Sequence, residues 1–219
     1  MGRGTGGAIT TGQQNTAIGV STLDACTSGS YNVAMGVSAA TEITTGTHNT
    51  AIGPSALQNA TTGFENTMIG GSAGLNTTTG YYNAYVGNGA GNKTTTGHSN
   101  SFVGHSAGKR VTTGDKNVAI GSNAGNSGTN NITTGDNNIL IGYNAAASSA
   151  TVSNEVTIGD ANITKFRIPG LNSFEINDSG QFSGVASTAS GTAGVRVIYA
   201  STSSPSGGSD GDIWIKHAA

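Results

Sequence analysis

Cysteine occurs once, at Cys26, so no disulfide forms within the chain, and no Cys-x-x-Cys pair or Cys/His cluster has the spacing that holds zinc. Charge is scarce too. Lys and Arg number 9 and Asp and Glu 11, a formal net charge of −2, which leaves no basic face to meet nucleic-acid phosphates. No stretch approaches the roughly 18 to 20 consecutive apolar residues of a membrane helix, and the opening MGRGTGGAITTG has no apolar centre of a Sec signal peptide. Only 34% of the 219 residues are hydrophobic and 9% charged, against roughly half and a quarter in a single-core domain. Such polarity without net charge argues for order rather than disorder when the residues themselves are strictly ordered. They are: Gly, Thr, Ser, Asn and Ala recur on a fixed beat.

The Gly that closes each Ile-Gly, Val-Gly or Met-Gly step stands at 19, 36, 53, 70, 87, 104 and 121, always seventeen apart. Gly142 follows after twenty-one, the four extra residues lying within Asn126 to Ile132, and Gly159 restores the step of seventeen. An Asn column (Asn15, Asn32, Asn49, Asn66, Asn83, Asn100, Asn117, Asn138) and a column of Ile18, Met35, Ile52, Ile69, Val86, Val103, Ile120 and Ile141 keep the same phase. Between them run Ala17, Ala34, Ala51, Met68, Tyr85, Phe102, Ala119 and Leu140. A fixed period sustained this long marks a solenoid. The apolar spacing is not helical, and Gly and Asn supply left-handed corners. The spacing therefore predicts an all-β parallel β-solenoid, a β-roll of 17-residue coils over residues 1–160, each coil two short strands joined by two corners. Stacked at about 4.8 Å, Asn over Asn forms an amide ladder and Thr over Thr a hydroxyl ladder.

Neighbouring strand residues such as Ala17 and Ile18 point to opposite faces, and both columns are apolar or small. A coil this thin cannot bury both. One face belongs inside and the other against further copies, which predicts a homo-oligomer, threefold by preference, in which Ile52→Asp or Ile69→Asp collapses the rod.

Beyond Gly159 the phase is lost. ITKFRIPG, SFEIND and GQFSG read as short strands, Gly184 to Gly194 as a linker, and residues 195–216 as a β-hairpin with VRVIYA and IWIK as its arms. Residues 161–219 thus form a small β-structured tip. Tyr199 and Trp214 on those arms could stack on a sugar, although a hydrophobic clasp is the commoner role for aromatics in a hairpin.

Reactive chemistry is hard to find. Glycan-cleaving carboxylate pairs need roughly 5 to 10 Å between them in a cleft. The acids here are scattered, with Asp115 and Asp136 stacked on an outer corner as the nearest approach to a cation site. His48, His98, His105 and His217 have no motif around an activated Ser. Neither catalysis, nor a cofactor, nor a bound metal is expected. Recognition fares better. The two positions after each TTG glycine carry Tyr31, His48, Phe64, Tyr81, Tyr82 and His98. Phe64, Tyr81 and His98 share one column, an aromatic strip suited to sugar rings or to a neighbouring subunit. Lys93 and Arg110 share another column, with Lys109 alongside. The paired Thr columns raise ice binding, but adjacent strand residues alternate in direction, so only one row would face out.

NTAIGPSAL and NVAMGVSAA resemble the turns in the heads of trimeric autotransporter adhesins, which are left-handed parallel β-rolls. The longer TTGxxNTAIG form is more similar to the repeats of tailed-bacteriophage tail fibres. Ser153 to Asp178 resembles the segment that follows such repeats, and SDGDIWIK (Ser209 to Lys216) resembles a fibre-terminal phrase. The resemblance implies a homotrimeric virion protein, joined to other tail proteins, that adheres to host surface polysaccharide or an outer-membrane receptor without entering a membrane or binding nucleic acid. The glycan-contacting candidates are then Phe64, Tyr81, Tyr82, His98, Tyr199 and Trp214. The alternatives are a bacterial surface adhesin head and, more remotely, an ice-binding solenoid.

Overall fold

A computed structural model describes residues 2–128, 130–168, 174–177, 182–183, 198–201 and 213–216. The chain divides into two compact units, Met1–Asp160 and Ala161–Ala219. The first is all-β. Its strands are β1 (Thr16–Ile18), β2 (Val33–Met35), β3 (Thr50–Ile52), β4 (Thr67–Ile69), β5 (Ala84–Val86), β6 (Ser101–Val103), β7 (Val118–Ile120), β8 (Ile139–Ile141) and β9 (Val156–Ile158). They form one parallel nine-stranded sheet in chain order, with Ala34 opposite Ala51 and Met68 opposite Tyr85. The predicted β-solenoid is thus the fold. The four-residue insertion leaves its register intact, since Ile120 still pairs with Ile141.

Each coil has one strand, not two. The return half carries left-handed residues at alternate positions, such as Ser55 (φ 55°) and Leu57 (φ 52°), and alternate positive φ values cannot build extended chain. Coil-to-coil bonding continues there all the same: Leu57 N donates to Ala73 O at 2.9 Å and Asn59 N to Leu75 O at 3.0 Å. The Gly columns sit where successive backbones nearly touch. A Cβ on Gly80 would lie 2.6 Å from Gly97 O, and one on Gly53 2.7 Å from Gly70 C. This is why TTG and IG recur.

The Asn column is a buried amide ladder. Asn66 Nδ2 donates to Asn49 Oδ1 (3.0 Å) and Gly80 O (2.9 Å), while Asn66 Oδ1 accepts from the Asn83 backbone N–H (3.1 Å). Each amide therefore ties three coils together. The Thr ladder differs from expectation. Thr44 Oγ1 donates to Thr61 O at 3.1 Å and Thr78 Oγ1 to Thr95 O at 3.2 Å, so the hydroxyls bond to backbone carbonyls of the next coil and not to one another.

The core column is the one that begins at Ala17. Ala34, Ala51, Met68, Tyr85, Phe102 and Ala119 are buried, whereas Ile18, Met35, Ile69, Val86, Val103, Ile120, Ile141 and Ile158 are exposed. Ile52 is half-buried. The expectation that a charge at Ile52 or Ile69 collapses the coil is corrected here: in the chain by itself that column faces outward. Core volume is exchanged across the coil where the strand side chain is large. Ala51 faces Leu57, but Met68, Tyr85 and Phe102 are opposed by Gly74, Gly91 and Gly108, where an added Cβ would collide with the larger side chain. The Tyr85 and Phe102 rings stack at 4.7 Å.

In the second unit, β10 (Lys165–Ile168), β11 (Phe174–Asn177) and β12 (Phe182–Ser183) form an antiparallel sheet. Strands β13 (Ile198–Ser201) and β14 (Ile213–Lys216) pair in parallel, not as the antiparallel arms of the predicted hairpin. The connection over 202–212 is close to the dozen residues that a parallel crossover takes. The linker expected at Gly184 to Gly194 lies outside the described residues.

Candidate functional site: an aromatic corner and an outward apolar row

The corner after each TTG turn is built by two residues. The second adopts a left-handed conformation in every coil (Tyr31 φ 61°, His48 φ 58°, Glu65 φ 52°, Tyr82 φ 57°), which reverses the chain and turns that side chain away from the core. Both positions therefore present columns of side chains to the exterior.

In the first column, Phe64 stacks on Tyr81 (centroids 4.9 Å, planes 3° apart) and Tyr81 on His98 (4.6 Å, 16°). The coil spacing of about 4.8 Å imposes this contact on any two flat rings at successive corners. In the second column Tyr31 stacks on His48 at 4.7 Å. Tyr82 stands almost perpendicular to both Phe64 and Tyr81, at 5.4 and 5.1 Å, and so lies alongside the pair.

Stacking has a cost for sugar recognition. A sugar ring packs on an aromatic face, and both faces of Tyr81 are covered, by Phe64 and His98. These columns offer ring edges and hydroxyls instead. Tyr31 and Tyr82 are the exceptions, each with 51% of its surface exposed.

The stack ends on a carboxylate. His98 Nε2 lies 3.0 Å from Asp115 Oδ2, and Asp115 Oδ1 accepts the His98 backbone N–H at 2.9 Å. The next coils repeat the device: Asp115 N donates to Asp136 Oδ1 (2.8 Å) and Asp136 N to Ser153 Oγ (2.9 Å). Asp115 and Asp136 do stack as the spacing predicts, but their oxygens cap backbone donors. Among the described residues no group of three or more His, Cys, Asp or Glu gathers as metal ligands, and no helix is long and apolar enough to cross a membrane.

Phe64, Tyr81, Tyr82 and His98 are thus brought together on one corner. Tyr199 and Trp214 are register partners across β13 and β14; their side chains lie outside the described ones. One corner residue went unnoticed in the sequence. Glu65 occupies the second column between His48 and Tyr82, and its column position was the signal.

The other exterior feature is the sheet itself. The two outward columns of the strands run along all nine coils, and in the Ile18-to-Ile158 row every residue is exposed, from 37% at Ile69 to 54% at the ends, except the half-buried Ile52. No protein-family model, curated protein or solved structure matches the chain.

Proposed function

We propose that the chain is a homotrimeric bacteriophage tail fibre that attaches the virion to a host cell surface through glycans, with the alternative that it is the head of a bacterial surface adhesin. The observation that carries this reading is the outward aliphatic row from Ile18 to Ile158, unbroken over nine strands. Contiguous exposed apolar surface of this kind marks an association surface. A row parallel to the coil stack is also the natural seam for copies arranged about one long axis.

Nine coils at the sheet spacing make a rod roughly 40 Å long, and three receptor sites on one axis turn weak contacts into avidity. The role is adhesive, not catalytic. Between the two adhesive readings, the C-terminal segments that resemble fibre phrases favour the virion. Other tail proteins would hold one end of the fibre and a surface polysaccharide or outer-membrane receptor would meet the aromatic corner. Ice binding is disfavoured, because the hydroxyls of Thr44, Thr61, Thr78, Thr95 and Thr112 donate to carbonyls of the following coil, leaving only the Thr45-type row facing out.

The test is attachment of the labelled chain to a panel of bacterial strains. Saturable binding to some strains and not others is expected. Uniform, non-saturable or absent binding across the panel would contradict the reading.

A further inference from the structure

Resting on that adhesive reading, we infer that the aromatic corner takes a neutral sugar, with Tyr82 as the ring platform and Glu65 as the acceptor for its hydroxyls. Tyr81 has no free face, and Phe64 and His98 each give one face to it. Tyr82 spans the Phe64–Tyr81 pair from the side and keeps half its surface open. It is the one ring at the centre of the patch with area left for a ligand.

Glu65 is the residue directly before Tyr82 in the same column, one coil away. The two backbones are held in parallel, Glu65 N donating to Thr47 O (3.0 Å) and Tyr82 N to Phe64 O (3.3 Å). Glu65 is exposed, and among the described residues its carboxylate has no hydrogen bond or ion pair; the ion pair at this corner is His98–Asp115. An ionised carboxylate is acceptor-only and takes two hydroxyl donors at once, as adjacent hydroxyls on a sugar present them, while the sugar's C–H face rests on the ring.

Charge selects among sugars. His48 on one side gives a face to Tyr31, and the nearest column cation, Lys116, is three coils beyond Glu65, about 14 Å at the sheet spacing. Asp115 and Asp136 add negative charge farther along the corner. A uronic or sialic acid would meet a like charge at Glu65 with no cation of its own column nearby. A neutral hexose would not.

The experiment measures the intact chain against neutral hexose oligosaccharides and uronic-acid oligosaccharides of equal length. The expected result is binding to a neutral set only, weakened about tenfold or more by Glu65→Gln and by Tyr82→Ala, with both variants melting like the unaltered chain. Acidic sugars bound as well as neutral ones, or neutral binding unmoved by Glu65→Gln, would overturn the inference. Strain-specific cell attachment without binding to either sugar set would overturn it and leave the adhesive reading standing. Loss of both would remove the two together.

Discussion

Gly91 lies against one edge of the Tyr85 ring: a Cβ placed there would sit 2.7 Å from Cζ and closer still to Cε2. The left-handed backbone alone does not demand glycine at this column, since Leu57 and Ala40 adopt the same conformation at φ 52° and 51°. The ring demands it. Gly91→Leu should therefore destabilise the chain by about 3 kcal/mol or more through overpacking. Adding Tyr85→Ala, which copies the Ala51–Leu57 coil, should recover most of the loss. Chemical denaturation of the two variants checks both signs, and failure of the double variant to recover would contradict the volume-exchange account.

Thr77 occupies the position that Thr94 holds one coil later. There Tyr85 Oη donates to Thr94 Oγ1 at 3.1 Å. In the Thr77 coil the facing residue is Met68, and Thr77 Oγ1 is a buried oxygen with no partner. Thr77→Val, which matches Val111 farther along, should stabilise by about 1 kcal/mol. An unchanged or lower denaturation midpoint would mean that the hydroxyl is satisfied in solution.

Asn66→Ala removes one rung of the amide ladder and strands both the Asn83 backbone N–H and Gly80 O inside the coil. At about 1 to 3 kcal/mol for each buried unsatisfied group, a loss of about 3 kcal/mol is expected by denaturation. Asn15→Ala, at the half-buried start of the ladder, should cost less.

Glu155 stands where the Asn column ends. Its carboxyl is held below the usual range chiefly by hydrogen bonding with Ser148, opposed by burial and aided to a lesser degree by Thr157; Ser148 N and Thr157 Oγ1 both donate to Oε1 at 2.9 Å. A depressed carboxyl contributes stability that is present above its unfolded value, about 4.3, and lost as pH falls through the folded value. Between about pH 5 and pH 3 the unaltered chain should lose melting temperature relative to Glu155→Gln. Parallel curves for the two would show that the pairing contributes nothing.

Much of this architecture is legible in seventeen-residue spacing, because a stacked solenoid converts sequence distance into spatial neighbourhood: Asn66 meets Asn49 and Asn83, and Phe64 meets Tyr81, for that reason alone. What spacing does not resolve is direction. It could not say that Ala51 turns inward and Ile52 outward, since both are apolar and alternation on a three-residue strand is symmetric. Nor did it separate strand from left-handed turn in the return half, where Ser55 and Leu57 look unexceptional. The Met68–Gly74 and Tyr85–Gly91 exchange is visible in the letters once the interior side is known. For β13 and β14, alternation identifies strands but not whether they run parallel.

We infer that the Ile18-to-Ile158 row is covered by further copies of the chain. Light scattering of the purified protein tests it most directly, with Ile69→Asp as the comparison. A mass near three times the 21.6 kDa chain is expected, falling toward that of one chain in the variant while its coil spectrum in far-ultraviolet circular dichroism persists. A monomer before any substitution would contradict it.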